Sequence, residues 1–327
     1  GSPMELSVTI MKKVVKMDNG STVATENLAY DAHTGAVLLT RTNNDFDDPV
    51  YSMRFPAYWR YQGMGPAYKN IGNVMPSITL SATGNASIGN APAWFSPGDE
   101  CALTPTSGAA LHGWVDQVNE SGIAMIDADG DPITGTYALK ILRSGSRNMQ
   151  GQDMMTVISY SDPLVGLAGN VYQNVVNSKA VEFESEWNTE CACTEGATTG
   201  NPWTRNEKGV WRLARERVWL ADRTRSVANR NSDLRMDGIY SEFNPLYAVA
   251  NGNWDTDPQG WTVSRRILNY GPLGQELENT DALGIPTTAL FGHRGTLPIA
   301  VARNARYREV GFTSFEDPVP PNCADKH

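Results

Sequence analysis

Four cysteines and one histidine are the residues whose types best fit metal or disulfide chemistry. Cys191 and Cys193 are separated by one residue, and His327 follows Cys323 by four, so three thiolates and an imidazole are available for structural zinc. A bond between Cys191 and Cys193 would close a strained ring, so in an exported protein each is expected to pair with Cys101 or Cys323. Disulfides are the favoured interpretation, zinc and free thiols are the alternatives, and none of the three is catalytic.

Three aspartates at alternate positions, Asp127, Asp129 and Asp131, suggest a calcium loop. An EF-hand loop also needs a glutamate at its twelfth position, where this chain has Ala138. Gly130 lies among the aspartates and apolar runs flank the segment, which is typical of a hairpin turn. The sequence therefore predicts a hairpin here, with calcium binding as the less favoured alternative.

Two tryptophans, Trp254 and Trp261, lie in a polar, turn-rich segment in which Asn253 and Asp255 flank the first of them. An exposed indole can stack on the C–H face of a sugar while amides and carboxylates bind its hydroxyls. The same residues can instead close the end of a β-stack as core side chains. Both interpretations remain open at the level of sequence, and the first makes surface glycans a candidate partner.

Enzyme signatures are missing from the sequence: it has no HExxH, no GxSxG and no phosphate-binding glycine loop. Glu182, Glu184 and Glu186 alternate along a strand-like run and so share one face, a geometry that a glycosidase could use. A solvated strand face has the same pattern, and no apolar surroundings single out one carboxyl as the acid. We expect no catalytic residue and no cofactor, with a glycosidase as an alternative.

The composition of the 327 residues is globular and turn-rich: 40% are hydrophobic, 19% are charged, and there are 30 glycines and 19 prolines. No run is long and apolar enough for a membrane helix, no signal peptide opens the chain, and Gly1-Ser2-Pro3 is typical of an expression remnant. The net charge of -9 disfavours a nucleic-acid partner. The arginine-rich stretch from Trp203 to Arg235 is therefore interpreted as a sheet face paired with carboxylates.

Short alternating runs separated by turn signals predict a mainly β fold, made of antiparallel hairpins with a small β-barrel or sandwich module and few short helices. Runs at His112–Val118 and Ile123–Asp127 place the compact module at 95–160. Residues 164–177 are predicted to be partly helical. Residues 300–310, which a glycine follows, are the strongest helix candidate.

The segment Tyr30–Thr40 resembles a YD repeat, the unit of RHS and teneurin-like proteins, in which a Tyr-Asp turn and a glycine lead into a strand. Weaker echoes occur at Tyr270–Gly274 and Thr280–Gly284, where Tyr-Gly and Thr-Asp replace Tyr-Asp. Beyond these units the chain is similar to a family of very large surface proteins of gliding-type Gram-negative bacteria that is often linked with type IX secretion. The matching stretches are Asn44–Tyr51, Gly63–Gly72, Arg143–Gln150, Glu276–Gly284 and Gly311–Asp317.

The resemblance implies an extracellular or cell-surface location, flanking domains of a longer β-rich polypeptide as partners, and a setting consistent with disulfides. It supplies no catalytic residues. The first hypothesis for the function is a non-catalytic structural or adhesive segment of a surface protein. The alternatives are a glycan-binding module using Trp254 and Trp261, and part of a glycosidase or of an RHS-type toxin-carrying shell. The turn-shaping residues would be Tyr30, Asp31, Gly35, Tyr270, Asp281 and Gly284.

The predicted organisation has five parts. An expression remnant, 1–3, precedes a YD-like β segment with an aromatic loop, 4–94. The compact β module, 95–160, is followed by a β-rich segment, 161–317, with YD-like echoes near 270–292. Residues 318–327 are interpreted as the start of a linker because of their prolines.

Overall fold

A computed structural model describes residues 10–43, 48–67, 70–146, 151–187, 200–219, 243–271, 273–293 and 295–312. Over these ranges the chain is mainly β, with antiparallel sheets and one short α-helix, which confirms the predicted fold class. The helix, α1, spans Pro163–Gly166, and the side chain of Asp162 accepts a hydrogen bond from the N–H of Leu164 at its start. None of the helices in these ranges is long and apolar enough to cross a membrane.

Nineteen strands account for most of the described residues. Their bounds are β1 Lys13–Asp18, β2 Ser21–Tyr30, β3 Val37–Asn43, β4 Val50–Pro56, β5 Val74–Leu80, β6 Asn85–Ser87, β7 Glu100–Pro105, β8 Leu111–Asn119, β9 Gly122–Ile126, β10 Gly135–Arg143, β11 Asp153–Ser159, β12 Val175–Glu186, β13 Lys208–Trp219, β14 Tyr247–Ala250, β15 Asn253–Thr256, β16 Trp261–Tyr270, β17 Glu276–Asp281, β18 Pro286–Gly292 and β19 Leu297–Arg303.

The strands form three sheets. The largest has the order β1-β2-β3-β4-β11-β12-β13-β16-β17-β18-β19, the second has the order β5-β10-β7-β8-β9-β6, and β14 pairs with β15. Most neighbours in these orders are consecutive in sequence, because hairpin turns join them. The chain divides into two compact units: the first comprises Gly1–Ala57, Asp153–Ala180 and Arg217–Thr262, and the second comprises Tyr58–Gln152, Val181–Glu216 and Val263–His327.

The core of the first unit follows from the register of three strands. Leu39 of β3 lies opposite Met53 of β4, and Met53 lies opposite Val157 of β11. All three side chains are fully buried. Alternate residues of a strand point to the same face, so this register sets one apolar row across the sheet. The aromatic, turn-rich composition of 45–73 predicts an irregular loop, and strand β4 shows that this prediction is wrong for Val50–Pro56.

The second unit contains a nearly closed, barrel-like sheet of six strands, β5 to β10. Its terminal strands β5 and β6 meet at a tight turn, where the N–H of Ser81 donates to the carbonyl of Asn85. Its core includes Leu103, Val115, Met125 and Leu139, and Cys101 packs among them. The sheet begins at β5, about 20 residues before the boundary drawn at 95 from sequence, and β11 belongs to the large sheet instead.

The helix predicted at 300–310 is wrong. Leu297–Arg303 is strand β19, and within 304–310 the structure has only a short 3-10 turn at Tyr307–Glu309. Strand β19 pairs along its length with β18, with Ala302 opposite Thr288 and Ala300 opposite Leu290. Pairing along the sheet therefore outweighs the helix propensity of this alanine-containing run. The segment 164–177, predicted to be partly helical, contains most of α1 and a 3-10 turn at Leu167–Gly169. Its last residues belong to strand β12, which begins at Val175.

Candidate functional site

The YD-like segment at Tyr30 forms the hairpin turn between β2 and β3. The Oδ1 atom of Asp31 accepts hydrogen bonds from the N–H of His33 at 2.9 Å and from the N–H and hydroxyl of Thr34 at 2.8 and 3.0 Å. The N–H of Gly35 donates to the carbonyl of Asp31, and Gly35 has a φ of 70°, a left-handed conformation that favours glycine. The aspartate therefore binds the backbone of its own turn.

The echo at Asp281 has the same construction and joins β17 to β18. Its Oδ1 accepts from the N–H groups of Leu283 and Ile285, at 2.9 and 3.0 Å. Gly284 has a φ of 77°, and its N–H donates to the carbonyl of Asp281. The other echo, Tyr270–Gly274, lies in the turn between β16 and β17, where the N–H of Gly271 donates to the carbonyl of Gln275. The three YD-like units thus occupy three hairpin turns of the large sheet.

The tyrosines of these units anchor neighbouring backbone. The hydroxyl of Tyr30 donates to the carbonyl of Met11 at 2.6 Å, and that of Tyr270 donates to the carbonyl of Leu213 at 2.8 Å. The guanidinium of Arg212 lies 5.2 Å from the centre of the Tyr270 ring. Burial raises the pKa of the Tyr270 phenol to about 12. These contacts are those of folding anchors rather than of exposed reactive groups.

The three aspartates considered for calcium form a hairpin turn of the barrel-like sheet. The Oδ1 of Asp127 accepts from the N–H groups of Asp129 and Asp131, both at 2.9 Å, and Gly130 has a φ of 87°. This is the construction found at Asp281. Over the ranges that the structure describes, no group of three or more His, Cys, Asp or Glu side chains is placed to hold a metal ion.

Of the residues considered for disulfides or zinc, the structure describes Cys101 alone. Cys191, Cys193, Cys323 and His327 lie outside the described residues. Cys101 is a free thiol, fully buried in the core of the barrel-like sheet, where its Sγ donates a weak hydrogen bond to the carbonyl of Asp99. Burial raises the pKa of this thiol. Among the described residues it therefore has the role of a small core side chain.

Trp254 and Trp261 lie at the two ends of an aromatic row in the first unit. Trp254 packs edge-on against Phe55, Phe55 against Tyr172, Tyr172 against Phe243, and Phe243 against Trp261, with ring centres 5.9–6.3 Å apart. Trp261 is only 7% exposed and its indole N–H donates to the carbonyl of Asn244, so it is a core residue.

Trp254 differs from Trp261 in its surroundings. It is half-buried in the β14–β15 hairpin, opposite Val249, and its neighbours Asn253 and Asp255 are exposed. The structure therefore keeps Trp254, Asn253 and Asp255 together at the surface and separates them from Trp261, which lies in the core at the other end of the row.

The glutamates considered for a glycosidase lie along β12. Glu182 forms an ion pair with Arg215 of β13 at 2.7 Å, and Glu186 lies 3.9 Å from the amine of Lys208. Glu184 is exposed. Glu182 is thus held in an ion pair, and Glu184 and Glu186 are exposed, which matches an ion-paired strand face.

A cavity of about 310 Å³ lies in the second unit beside the first half of β5. Its floor is apolar and includes Met75, Phe95, Leu139 and Ile141, of which the last three are buried. Its rim carries Asn73, Val74, Pro76, Ser77 and Trp94. No charged side chain is among the lining residues, in a chain whose net charge is -9.

Trp94 owes its position at this rim to a 3-10 turn at Ala91–Ala93. The N–H groups of Trp94 and Phe95 both donate to the carbonyl of Ala91, so the chain turns tightly and the two aromatic side chains diverge. Phe95 enters the barrel core with 3% exposure, whereas Trp94 remains 49% exposed. Among the described tryptophans, it is the most exposed.

A buried aspartate, Asp99, holds the chain segments on both sides of this cavity. Its Oδ2 accepts from the side-chain amide of Asn70 at 2.7 Å and from the N–H of Ser96 at 2.8 Å, and its Oδ1 accepts from the N–H of Gly145 at 2.6 Å. Burial raises the pKa of Asp99, and these donors oppose that shift. Asn70 accepts a backbone hydrogen bond from Asn73, and Ser96 follows Trp94 by two residues, so Asp99 ties both rims of the cavity together.

The chain was compared with known proteins by sequence and by structure. No family model, characterised protein or solved structure matches it. The YD-repeat likeness therefore stays a prediction.

Sequence reasoning missed the cavity, the exposed Trp94 at its rim and the buried Asp99 that holds the neighbouring segments. Trp94 follows Ala91-Pro92-Ala93, and a proline at the start of a short turn was the available signal that the chain bends there. Asp99 lies in a Pro-Gly-Asp turn, where an aspartate usually caps its own turn. Its partners Asn70 and Gly145 are 29 and 46 residues away, and no local pattern reveals such pairings.

Proposed function

We propose that this chain is a non-catalytic structural or adhesive segment of a large, exported bacterial surface protein. The observation that carries the proposal is the role of the YD-like residues. One carboxylate oxygen of Asp31 and one of Asp281 accept hydrogen bonds from backbone N–H groups of their own hairpin turns. A carboxylate oxygen held in this way is part of the turn itself. It favours one hairpin geometry, which is what a long sheet of repeated strands requires.

The edges of the large sheet support flanking segments of the parent protein as partners. Strands β1 and β19 are the first and last in its strand order. Both expose apolar side chains: Val14 and Met17 on β1, and Leu297 and Val301 on β19. Among the described strands, each of these edges has a neighbour on one side only, and such an edge with exposed apolar residues favours addition of a further strand. A flanking repeat would cover such an edge in the full-length polypeptide.

The test of the structural role is a comparison of Tyr30→Ala with Tyr30→Phe. Tyr30→Ala removes the hydrogen bond to Met11 and a partly buried ring, so the free energy of unfolding should fall by about 2 kcal/mol. Tyr30→Phe keeps the ring and should lose about 1 kcal/mol. Thermal denaturation followed by circular dichroism measures both. Equal melting temperatures for the wild type and Tyr30→Ala would contradict the structural role proposed for the YD-like unit.

A second candidate function is a glycan-binding module centred on Trp254. It is favoured by the exposed side chains of Asn253 and Asp255 on either side of a half-buried indole. Trp261 would contribute through packing, since its ring is buried. Loss of glycan binding in Trp254→Ala, with an unchanged melting temperature, would support this candidate. Retention of binding by that variant would exclude it.

A further inference from the structure

We propose that the cavity beside β5 is a binding site for one residue of an uncharged glycan, with Trp94 as the surface on which the sugar ring stacks. The site is separate from Trp254 and needs no other part of the proposed function. A purely structural segment would fold identically with this cavity empty, so the two proposals can fail independently.

The floor and rim of the cavity fit the two faces of a sugar ring. Met75, Leu139 and Ile141 form an apolar floor, and half of the Trp94 side chain is open to solvent above it. A pyranose presents C–H groups on one face, which pack favourably against an indole ring. The volume of about 310 Å³ is at the lower end of small-molecule sites, which suits a single ring better than an oligosaccharide.

The polar groups at the rim are uncommitted. Within the described part of the chain, the side chains of Asn73 and Ser77 and the indole N–H of Trp94 make no hydrogen bond. An amide and a hydroxyl each donate and accept, and the indole donates. Such a set fits sugar hydroxyls, which also donate and accept. The absence of charge from the lining favours a neutral ligand over a sialylated or sulfated one, because an anion would lose hydration without gaining a cationic partner.

The backbone of β5 argues against an added peptide strand as the occupant. Pro76 lies in the middle of the cavity-lining part of β5 and has no N–H to donate to an added strand. An extended peptide would therefore lose a main-chain hydrogen bond at the centre of the site. A sugar ring needs no such ladder.

The site is held in place before any ligand arrives. Asp99 fixes Ser96, two residues after Trp94, and Asn70, whose carbonyl accepts the N–H of Asn73. Both walls of the cavity thus depend on one buried carboxyl, which lies outside the lining itself. A site arranged in this way loses little conformational entropy on binding. Asp99 is accordingly a positioning residue for this site.

The experiment is binding of the purified chain to an array carrying neutral, sialylated and sulfated glycans, followed by titration of the strongest neutral glycan by calorimetry. We expect binding to neutral glycans and a loss of at least tenfold in Trp94→Ala, equivalent to about 1.4 kcal/mol. Asn73→Ala should weaken binding severalfold without changing the melting temperature. The matched control is Leu111→Ala, which truncates a 45% exposed side chain of β8 in the same barrel-like sheet, outside the cavity.

Each remaining outcome overturns the proposal. If the chain binds no neutral glycan, neutral glycans are excluded as ligands. If it binds anionic glycans only, the preference for a neutral ligand that we infer from the uncharged lining is wrong. Equal affinity of the wild type and Trp94→Ala removes the site. If Trp254→Ala abolishes binding while Trp94→Ala retains it, the ligand belongs to the β14–β15 hairpin instead. Equal losses in Trp94→Ala and Leu111→Ala would show a general effect of surface truncation.

Discussion

Replacing Asp99 tests whether one buried carboxyl organises the barrel-like sheet and its cavity. Asp99 is fully buried and accepts hydrogen bonds from several donors, among them the buried groups of Asn70 and Gly145. Asp99→Ala leaves these two donors without partners, at about 1–3 kcal/mol each. We therefore expect the free energy of unfolding to fall by about 4 kcal/mol, a large part of the stability of an ordinary domain.

The isosteric variant Asp99→Asn separates charge from shape. An amide NH2 in place of one carboxylate oxygen faces an N–H donor, so at least one hydrogen bond is lost and about 1–3 kcal/mol with it. Burial raises the pKa of Asp99 above its ordinary value of 3.8, so the folded state holds the proton more tightly than the unfolded state. This contribution to stability is complete below the unfolded-state pKa and is lost as the pH rises through the folded-state pKa. Asp99→Asn cannot titrate and should remove that slope.

The assay is urea denaturation of the wild type and both variants at several pH values, followed by circular dichroism. The matched control is Asp129→Ala, because Asp129 is exposed on the same barrel-like sheet. The reasoning is refuted if Asp99→Ala unfolds at the same urea concentration as the control. A pH slope that persists unchanged in Asp99→Asn would assign it to another group. Weaker glycan binding in folded Asp99→Asn is expected if this residue positions the cavity walls.

Three further predictions concern turns, the buried thiol and alkaline pH. Asp127→Ala should lower the melting temperature more than Asp129→Ala, because only the Asp127 carboxylate accepts the turn's N–H groups, and equal effects would contradict the hairpin assignment. Alkylation of the native chain, read by peptide mass spectrometry, should leave Cys101 unmodified until denaturant is added, and rapid modification would contradict its burial. Because the pKa of Tyr270 is raised from 10.0 to about 12, its contribution to stability is complete below pH 10 and is lost towards pH 12. Denaturation curves of Tyr270→Phe should therefore lose less stability over this interval than those of the wild type, and parallel losses would assign the alkaline transition to other groups.

The fold class was accessible from the sequence because its determinants are local. Asp-Gly and Asn-Gly pairs between alternating runs specify hairpins, and most neighbours in the large sheet are consecutive strands, although β4 beside β11 and β13 beside β16 are not. The run at 300–310 shows the limit of such reasoning. Its alanines and terminal glycine favour a helix locally, but pairing with β18 makes Leu297–Arg303 a strand. That pairing depends on the position of β18 in the folded chain, and the local sequence of 300–310 carries no information about it.

The candidate sites show the same difference between what local sequence determines and what tertiary contacts determine. The sequence directed attention to Trp254 and Trp261 because polar residues surround both, yet exposure depends on tertiary contacts. Trp261 is covered by Phe243, whereas Trp94, which lies in an apolar stretch, is held at the surface because Phe95 takes the place in the core. Local polarity is therefore a poor guide to which aromatic ring a ligand can reach.

The most direct test of the central claim is the location of the chain on its source cells. Antibodies raised against the purified chain would be applied to intact cells and to lysed cells, with an antibody to a cytoplasmic protein as the control. The account predicts labelling of intact cells that do not admit the control antibody. Labelling confined to lysed cells would contradict the proposal of an exported surface segment.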